Sequence, residues 1–271
     1  MTTEFPPHPA IPADVHAEIL RRLRRAEAEH GVRILLAVES GSRAWGFASP
    51  DSDYDVRFVY AHPPRWYQAV DLEEKRDVIE YPIVDDIDLN GWDVRKALRL
   101  FRKSNPAFVE WIQSPIRYLE RGAFAAEARR RLPEVYSVTN GLYHYRSMAR
   151  TNHRGYLRED RVRLKKYFYA LRPLLAVLWL ERHATPAPIA FEALLPLIDD
   201  RPALLADIRD LQARKRVAPE TWVGDAVPSL DAFIEQTLAR LEGLRPDAET
   251  RGDVLPALNT LFHRVLDEIG D

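Results

Sequence analysis

Gly41-Ser42-Arg43-Ala44-Trp45-Gly46, followed two residues later by Ser49-Pro50-Asp51-Ser52-Asp53-Tyr54-Asp55-Val56-Arg57, is the stretch on which the reading of this 271-residue chain turns. It follows RILLAVES (33–40), an apolar run that predicts a buried strand breaking at the Gly41-Ser42 turn, and it leads into a second strand predicted over 54–60. Asp53 and Asp55 are two apart, so they point to one face at the start of that strand. Two carboxylates on one face with nothing basic between them repel, and each raises the other's pKa unless a cation sits there. A hard divalent ion such as Mg²⁺ or Mn²⁺ resolves the conflict. Two such ions about 3.5–4 Å apart can clamp the attacking and leaving oxygens of a phosphoryl group.

A third carboxylate is expected from a neighbouring strand. Ile87-Asp88-Leu89 offers one between apolar residues, and Asp86 shares its face by alternation, so Asp88 is preferred and Asp86 is the alternative. A strand that breaks at glycine and opens a short helix presents backbone N–H groups and a hydroxyl to phosphate oxygens. These parts suit a metal-bound nucleoside triphosphate. Asp51, Asp53 and Asp55 also fit positions 1, 3 and 5 of a calcium-binding loop, but Val56 replaces its glycine and His62 its final Glu. Turn chemistry alone explains 49–52, though not acids continuing into an apolar strand.

Working outward, strands are predicted over 78–83 and 84–89, a helix over 94–103 capped by Asp93, and another opening at Asn105-Pro106. Val15, Ile19, Leu23 and Ala26 mark an earlier helix stopped by Gly31, whose RRLRR (21–25) reads as a solvated face. Trp45 and Trp92 read as packing anchors. Beyond about 133 helical periodicity dominates, with helices predicted over 134–153, 158–182, 190–198, 200–214, 228–243 and 254–269. The predicted class is α+β: a small mixed-sheet domain over 1–118 and an all-helical domain over 133–271.

The second concentration of chemistry is basic. Residues 150–172 carry eight Lys or Arg against two acids. On a helix, Leu164, Phe168, Leu171, Leu175 and Leu178 form the buried stripe, while Arg161, Lys165, Tyr169 and Arg172 form one flanking ridge and Lys166 points away from both. Lys165 is therefore favoured over Lys166 to meet a nucleotide's phosphates, with the Tyr169 ring offering a surface to its sugar or base. Pro173 is expected to end or kink this helix.

GSRAWG followed by SDYDVR resembles the Gly-Ser, Asp-x-Asp signature of the DNA polymerase beta superfamily of nucleotidyltransferases. IDLNGWDVRKAL, RKSNPAFVEWIQSPI and RLKKYFYALRPLLAVLWL resemble more specifically the RlaP/YcgL group, predicted nucleotidyltransferases named for an association with RNA repair. The resemblance runs from about Val38 to Leu195. It implies that Asp53 and Asp55 bind the catalytic metals, that Gly41 and Ser42, with Arg43 beside them, hold the triphosphate, and that Asp88 is the third carboxylate and activates the acceptor hydroxyl.

The expected activity is thus Mg²⁺-dependent transfer of a nucleoside monophosphate from an NTP, ATP among the candidates, to an acceptor hydroxyl such as an RNA end, releasing pyrophosphate. The expected cofactor is a two-ion Mg²⁺ site, with Mn²⁺ as substitute. The competing readings are a catalytically inactive nucleotide- or RNA-binding protein on the same scaffold, and a hydrolase using the two acids. With no cysteine, disulfides and thiolate metal sites are excluded. The longest apolar run, 174–180, is too short to span a bilayer, and no signal segment opens the chain, so a soluble, cytoplasmic protein with no membrane partner is expected. A net charge of −2 excludes protein-wide attraction to polyanions, yet residues 51–93 carry twelve acids and four bases. The near-neutral total is the sum of an acidic region suited to metal ions and a basic one suited to phosphates.

Overall fold

In a computed structural model, which describes residues 1–219, 221–246 and 252–270, the chain opens with strand β1 (Thr2–Glu4) and helix α1 (Ala13–His30). Ile19, Leu20, Leu23 and Ala26 form the buried face of α1, and Gly31 closes it in the left-handed conformation at φ 61°. The arginines of RRLRR lie in ion pairs: Arg21 and Arg22 with Glu18 and Arg25 with Glu29 on this helix, and Arg24 with Glu4 of β1. Strand β2 (Arg33–Glu39) follows, then the short helix α2 (Gly41–Trp45) and strand β3 (Tyr54–Ala61). Strands β4 (Val78–Glu80) and β5 (Ile87–Asp93), helices α3 (Val94–Arg102) and α4 (Pro106–Gln113), strand β6 (Arg117–Arg121) and helix α5 (Phe124–Val135) complete this stretch.

Six strands form one mixed sheet in the order β1-β6-β2-β3-β5-β4, in which β3 and β5 run parallel and the other pairs antiparallel. Strand β2 is central, which is why RILLAVE stays buried from Ile34 to Glu39. Alternation puts Val56, Phe58 and Tyr60 of β3 with Ile87 and Leu89 of β5 on one face, against Ile19, Leu20 and Leu23 of α1. The opposite face meets α3, α5 and α10 (Leu255–Ile269), and Trp92 packs against Trp111 of α4 with ring centroids 3.9 Å apart and the planes tilted by 33°. Gly91 is obligatory in this packing, because a Cβ there would lie 2.2 Å from the Phe58 ring. The predicted strand over 84–89 is displaced: Asp85 and Asp86 take left-handed turn conformations, and the strand begins at Ile87.

The chain divides into two compact units, Met1–Ala44 with Asp53–Val135 and Gly252–Asp271, and Trp45–Ser52 with Tyr136–Arg251. This differs from the division into 1–118 and 133–271 in three places. Residues 124–132, left between the two expected domains, belong to helix α5. The C-terminal helix α10 packs in the first unit, where Phe262 meets the Tyr67 ring at 5.1 Å and Glu268 accepts from the Ala123 N–H. Residues 45–52 pack in the second, where Phe47 stacks on Phe168 with centroids 4.6 Å apart.

The second unit contains α6 (Val138–Tyr156), β7 (Arg161–Arg163), α7 (Lys165–His183), a 3-10 helix at Phe191–Ile198, α8 (Pro202–Val217), β8 (Val223–Asp225) and α9 (Pro228–Glu242). It is not all-helical: residues 161–163, expected to be helix, pair antiparallel with 223–225. Nor does α7 end at Pro173. The helix continues to His183, since burial of Phe168, Leu171, Leu174, Leu175, Val177 and Leu180 outweighs the roughly 3 kcal/mol that a mid-helix proline costs.

Asp93 caps α3 as predicted: one carboxylate oxygen accepts from the Arg95 N–H at 2.7 Å and the other from the Tyr67 hydroxyl at 2.7 Å. Burial pushes its pKa up to about 6, with both hydrogen bonds pulling the other way. The folded chain therefore holds this proton more tightly than the unfolded chain, and the stability it confers is lost as pH rises from about 4 to about 6. Asp93→Asn keeps one acceptor oxygen for the Arg95 cap, sets its amide against the Tyr67 hydroxyl oxygen and removes the titration. In urea unfolding from pH 4 to pH 8, the variant should gain up to about 3 kcal/mol relative to the parent across that window and hold the difference above pH 7.

Candidate functional site

The site is built at the ends of β2, β3 and β5. Strand β2 terminates in Glu39, whose side chain is fully buried. One Glu39 oxygen accepts from the Asp55 N–H at 2.9 Å and the other from the Tyr118 hydroxyl at 2.6 Å. Burial is the main cause that raises its pKa to about 8, the Tyr118 hydrogen bond opposes it, and the Asp55 charge adds to it. Glu39 thus holds its proton at neutral pH and braces the backbone at Asp55 without adding a negative charge. Beside it, the Ser40 N–H donates to the Asp55 carbonyl at 2.9 Å.

These bonds bring the Gly-Ser turn against the acidic strand. Gly41 has φ 60°, and a Cβ there would lie 2.1 Å from Asp55 Oδ2, so glycine is required on both counts. Ser42 is buried on α2. Arg43 reaches back to the acidic loop: its Nε donates to the Asp53 carbonyl at 3.2 Å, Nη1 donates to the Ala10 carbonyl at 3.3 Å, and the guanidinium lies 4.0 Å from the Tyr54 ring centroid.

The parallel register places Asp55 directly beside Asp88. Between them stands Arg57, whose Nη2 lies 2.8 Å from Asp55 Oδ1 and 2.7 Å from Asp88 Oδ2, while Nη1 donates to the Asp88 carbonyl at 2.9 Å. Arg57 follows Asp53 and Asp55 at the same two-residue spacing, so period-2 alternation could have placed it on their face. Glu39 had a weaker signal, a carboxylate inside an otherwise apolar strand run. Of the three nearby acids, Asp85 is paired with Arg22 and Asp86 sits in the turn, its carbonyl accepting from the Tyr54 N–H. Only Asp88 is on the strand next to Asp55.

The structure therefore brings together Gly41, Asp55 and Asp88, and joins Arg43 to Asp53 through the Asp53 backbone. Lys165 and Tyr169 belong to α7 of the second unit. There Tyr169 meets Trp45 edge-on at 5.9 Å. The ridge expected to carry them is not intact. Arg161 lies on β7, and Arg172 is buried with its guanidinium 4.7 Å from the Trp45 ring. Lys166, expected to point away, sits with Nζ 3.7 Å from the Tyr156 ring centroid and 5.0 Å from that of Tyr169.

The donor chemistry of Asp53, in the loop just before β3, and Asp55, near the start of that strand, suits a hard divalent ion. Among the described residues no three His, Asp or Glu side chains form a cluster able to hold a metal, and Arg57 occupies the position between Asp55 and Asp88. No described helix is long and apolar enough to cross a membrane.

The family model RlaP, an RNA repair pathway DNA polymerase beta family, matches residues 15–264. A protein of Bacillus subtilis (strain 168), named Uncharacterized protein YcgL, is 42% identical over 252 residues, which cover 93% of this chain and 96% of that one. The crystal structure of a nucleotidyltransferase-like protein from Exiguobacterium sibiricum 255-15 aligns over 92% of this chain and 78% of that one, with 14% identity and a TM-score of 0.31.

Gly41→Ala tests the close approach. The left-handed backbone alone should cost roughly 1–2 kcal/mol, and the methyl must also displace the Asp55 carboxylate. Urea unfolding should show a loss at least that large, whereas Gly155→Ala, at a helical position where a Cβ meets nothing within 4 Å, should leave stability unchanged or raised.

Proposed function

The chain belongs to the RlaP family, the RNA repair pathway DNA polymerase beta family, and we propose that it transfers a nucleoside monophosphate from an NTP to an acceptor hydroxyl, with release of pyrophosphate. The observation that carries this reading is the convergence at one sheet end of a glycine turn pressed on Asp55 and of Asp88 in register beside it. An RNA end is the acceptor that the family's name suggests.

In this reading Asp53 and Asp55 hold Mg²⁺ or Mn²⁺, with Asp88 completing the set; when bound, the ions neutralise the triphosphate and stabilise the attacking and leaving oxygens. Gly41 and Ser42 present the start of α2 to phosphate oxygens, and Arg43 holds that turn to the Asp53 loop. Arg57 offsets part of the charge of Asp55 and Asp88 in the resting protein and gives up one or both when substrate charge arrives. Asp88 then orients the acceptor hydroxyl and accepts its proton as the acceptor oxygen bonds to the α-phosphorus and the bond from that phosphorus to the pyrophosphate oxygen breaks. Positioning supplies much of the rate, as expected where little covalent chemistry falls to the protein. Lys165 and Tyr169 are assigned to the nucleotide, Lys165 to its phosphates and Tyr169 to its sugar or base.

A scan with four α-labelled NTPs, Mg²⁺ or Mn²⁺, and RNA, protein and small-molecule acceptors tests the proposal. Label should move to one acceptor class, and Asp53→Asn and Asp55→Asn should each abolish transfer while leaving the unfolding free energy within about 1 kcal/mol of the parent. Transfer retained in either folded variant contradicts the mechanism. Tight NTP binding with no transfer to any acceptor would favour a binding protein on this scaffold, and phosphate release without acceptor product would favour a hydrolase.

A further inference from the structure

Residues 158–182, expected as one helix, are folded differently, and the difference creates a second site. Helix α6 ends at Tyr156, an exposed stretch carries Arg158 and Glu159, and strand β7 follows. On β7 alternation turns Val162 inward and leaves Arg161 and Arg163 exposed on the other face. Arg154 from α6, Arg158 from the connection, Arg161 and Arg163 from β7 and Lys166 from α7 line a hollow of about 500 Å³, together with the half-exposed Tyr156. Glu159 is the one carboxylate of the lining.

On α1 each of the four arginines of the RRLRR run is closed by an acid. Among the described residues none of Arg154, Arg158, Arg161 and Arg163 has such an ion pair. Five cations held around one concavity repel one another, a cost that a polyanion would relieve. The aromatic component narrows the choice. Tyr156 presents a ring with the Lys166 ammonium 3.7 Å from its centroid, and cations tracking a backbone beside an exposed ring are the physical requirements for holding unpaired bases and their phosphates.

We propose that this hollow binds the phosphodiester backbone of a single-stranded nucleic acid, with a base stacked on Tyr156. A duplex keeps its bases stacked internally and offers no ring to Tyr156, whereas a free polyphosphate uses the cations and not the tyrosine. The site is formed within the second unit and needs neither NTP nor the acids of the first, so it stands apart from the transfer reading.

Fluorescence anisotropy of the full chain with an end-labelled RNA of about 12 nucleotides, in EDTA and without NTP, tests it directly. The parent should bind, with affinity falling as salt rises. Arg158→Gln/Arg163→Gln should weaken binding at least tenfold and reduce the slope of log K against log salt by about 1.4, or about 0.7 for each lost phosphate contact. Tyr156→Ala should weaken binding by about tenfold with the slope unchanged. Arg21→Gln/Arg24→Gln on α1 should bind as the parent does, and so should Asp55→Asn, even if transfer is lost. Thermal melts establish that each variant is folded. Absence of binding by the parent, or variants of the hollow that bind like the parent, would overturn the proposal. So would displacement by inorganic triphosphate as effective as by unlabelled RNA at equal phosphate, or equal affinity for a duplex.

Discussion

Two carboxylates set in register on adjacent parallel strands cannot share one face without a cation, and in this chain the cation between Asp55 and Asp88 is Arg57. The side chain is about four-fifths buried and engages both acids and the Asp88 carbonyl, so its single positive charge offsets half of the pair's negative charge in the folded chain. Around it the fit is close. Glu39 fixes the Asp55 N–H from one side while remaining protonated, and Gly41 leaves room for the Asp55 carboxylate on the other. A divalent ion at Asp53 and Asp55 would compete with a protein cation, so occupancy of the site and release of Arg57 are coupled by charge.

Much of this end of the sheet was legible in the sequence because it rests on local rules. The break at Gly41, the strand that carries Asp55, the place of Asp88 on a strand and the caps at Asp93 and Asn105 all follow from spacing of a few residues. The phrases resembling the RlaP/YcgL group identified the family, which the comparisons bear out. Arg57 obeyed strand alternation and could have been read the same way. Its effect depends on Asp88, however, which is thirty-one positions away and reaches it only through the parallel pairing.

What escaped the sequence is long-range. The periodicity of α10 announces a helix but not its partner, and its apolar face packs with α3, α5 and β3 rather than with the preceding helices. The segment over 158–164 carries a helical charge pattern, yet Arg161–Arg163 pairs with Val223–Asp225, some sixty residues on. That pairing removes Arg161 from the ridge assigned to Lys165 and Tyr169, while burial of Arg172 under Trp45 removes another member. The net charge of −2 was correctly read as a sum of opposed regions. The basic one proves to be distributed over a helix end, a two-stranded ribbon and a helix start.

The central claim is that Arg57 occupies the charge position that a divalent ion would take in the proposed reaction. Electron paramagnetic resonance of free Mn²⁺ measures this directly, since the sharp signal of the hydrated ion falls as the ion binds. In the absence of nucleotide, folded Arg57→Gln protein should bind Mn²⁺ more tightly than the parent, and adding Asp55→Asn to that variant should abolish the gain. Equal or weaker Mn²⁺ binding by Arg57→Gln would contradict the account.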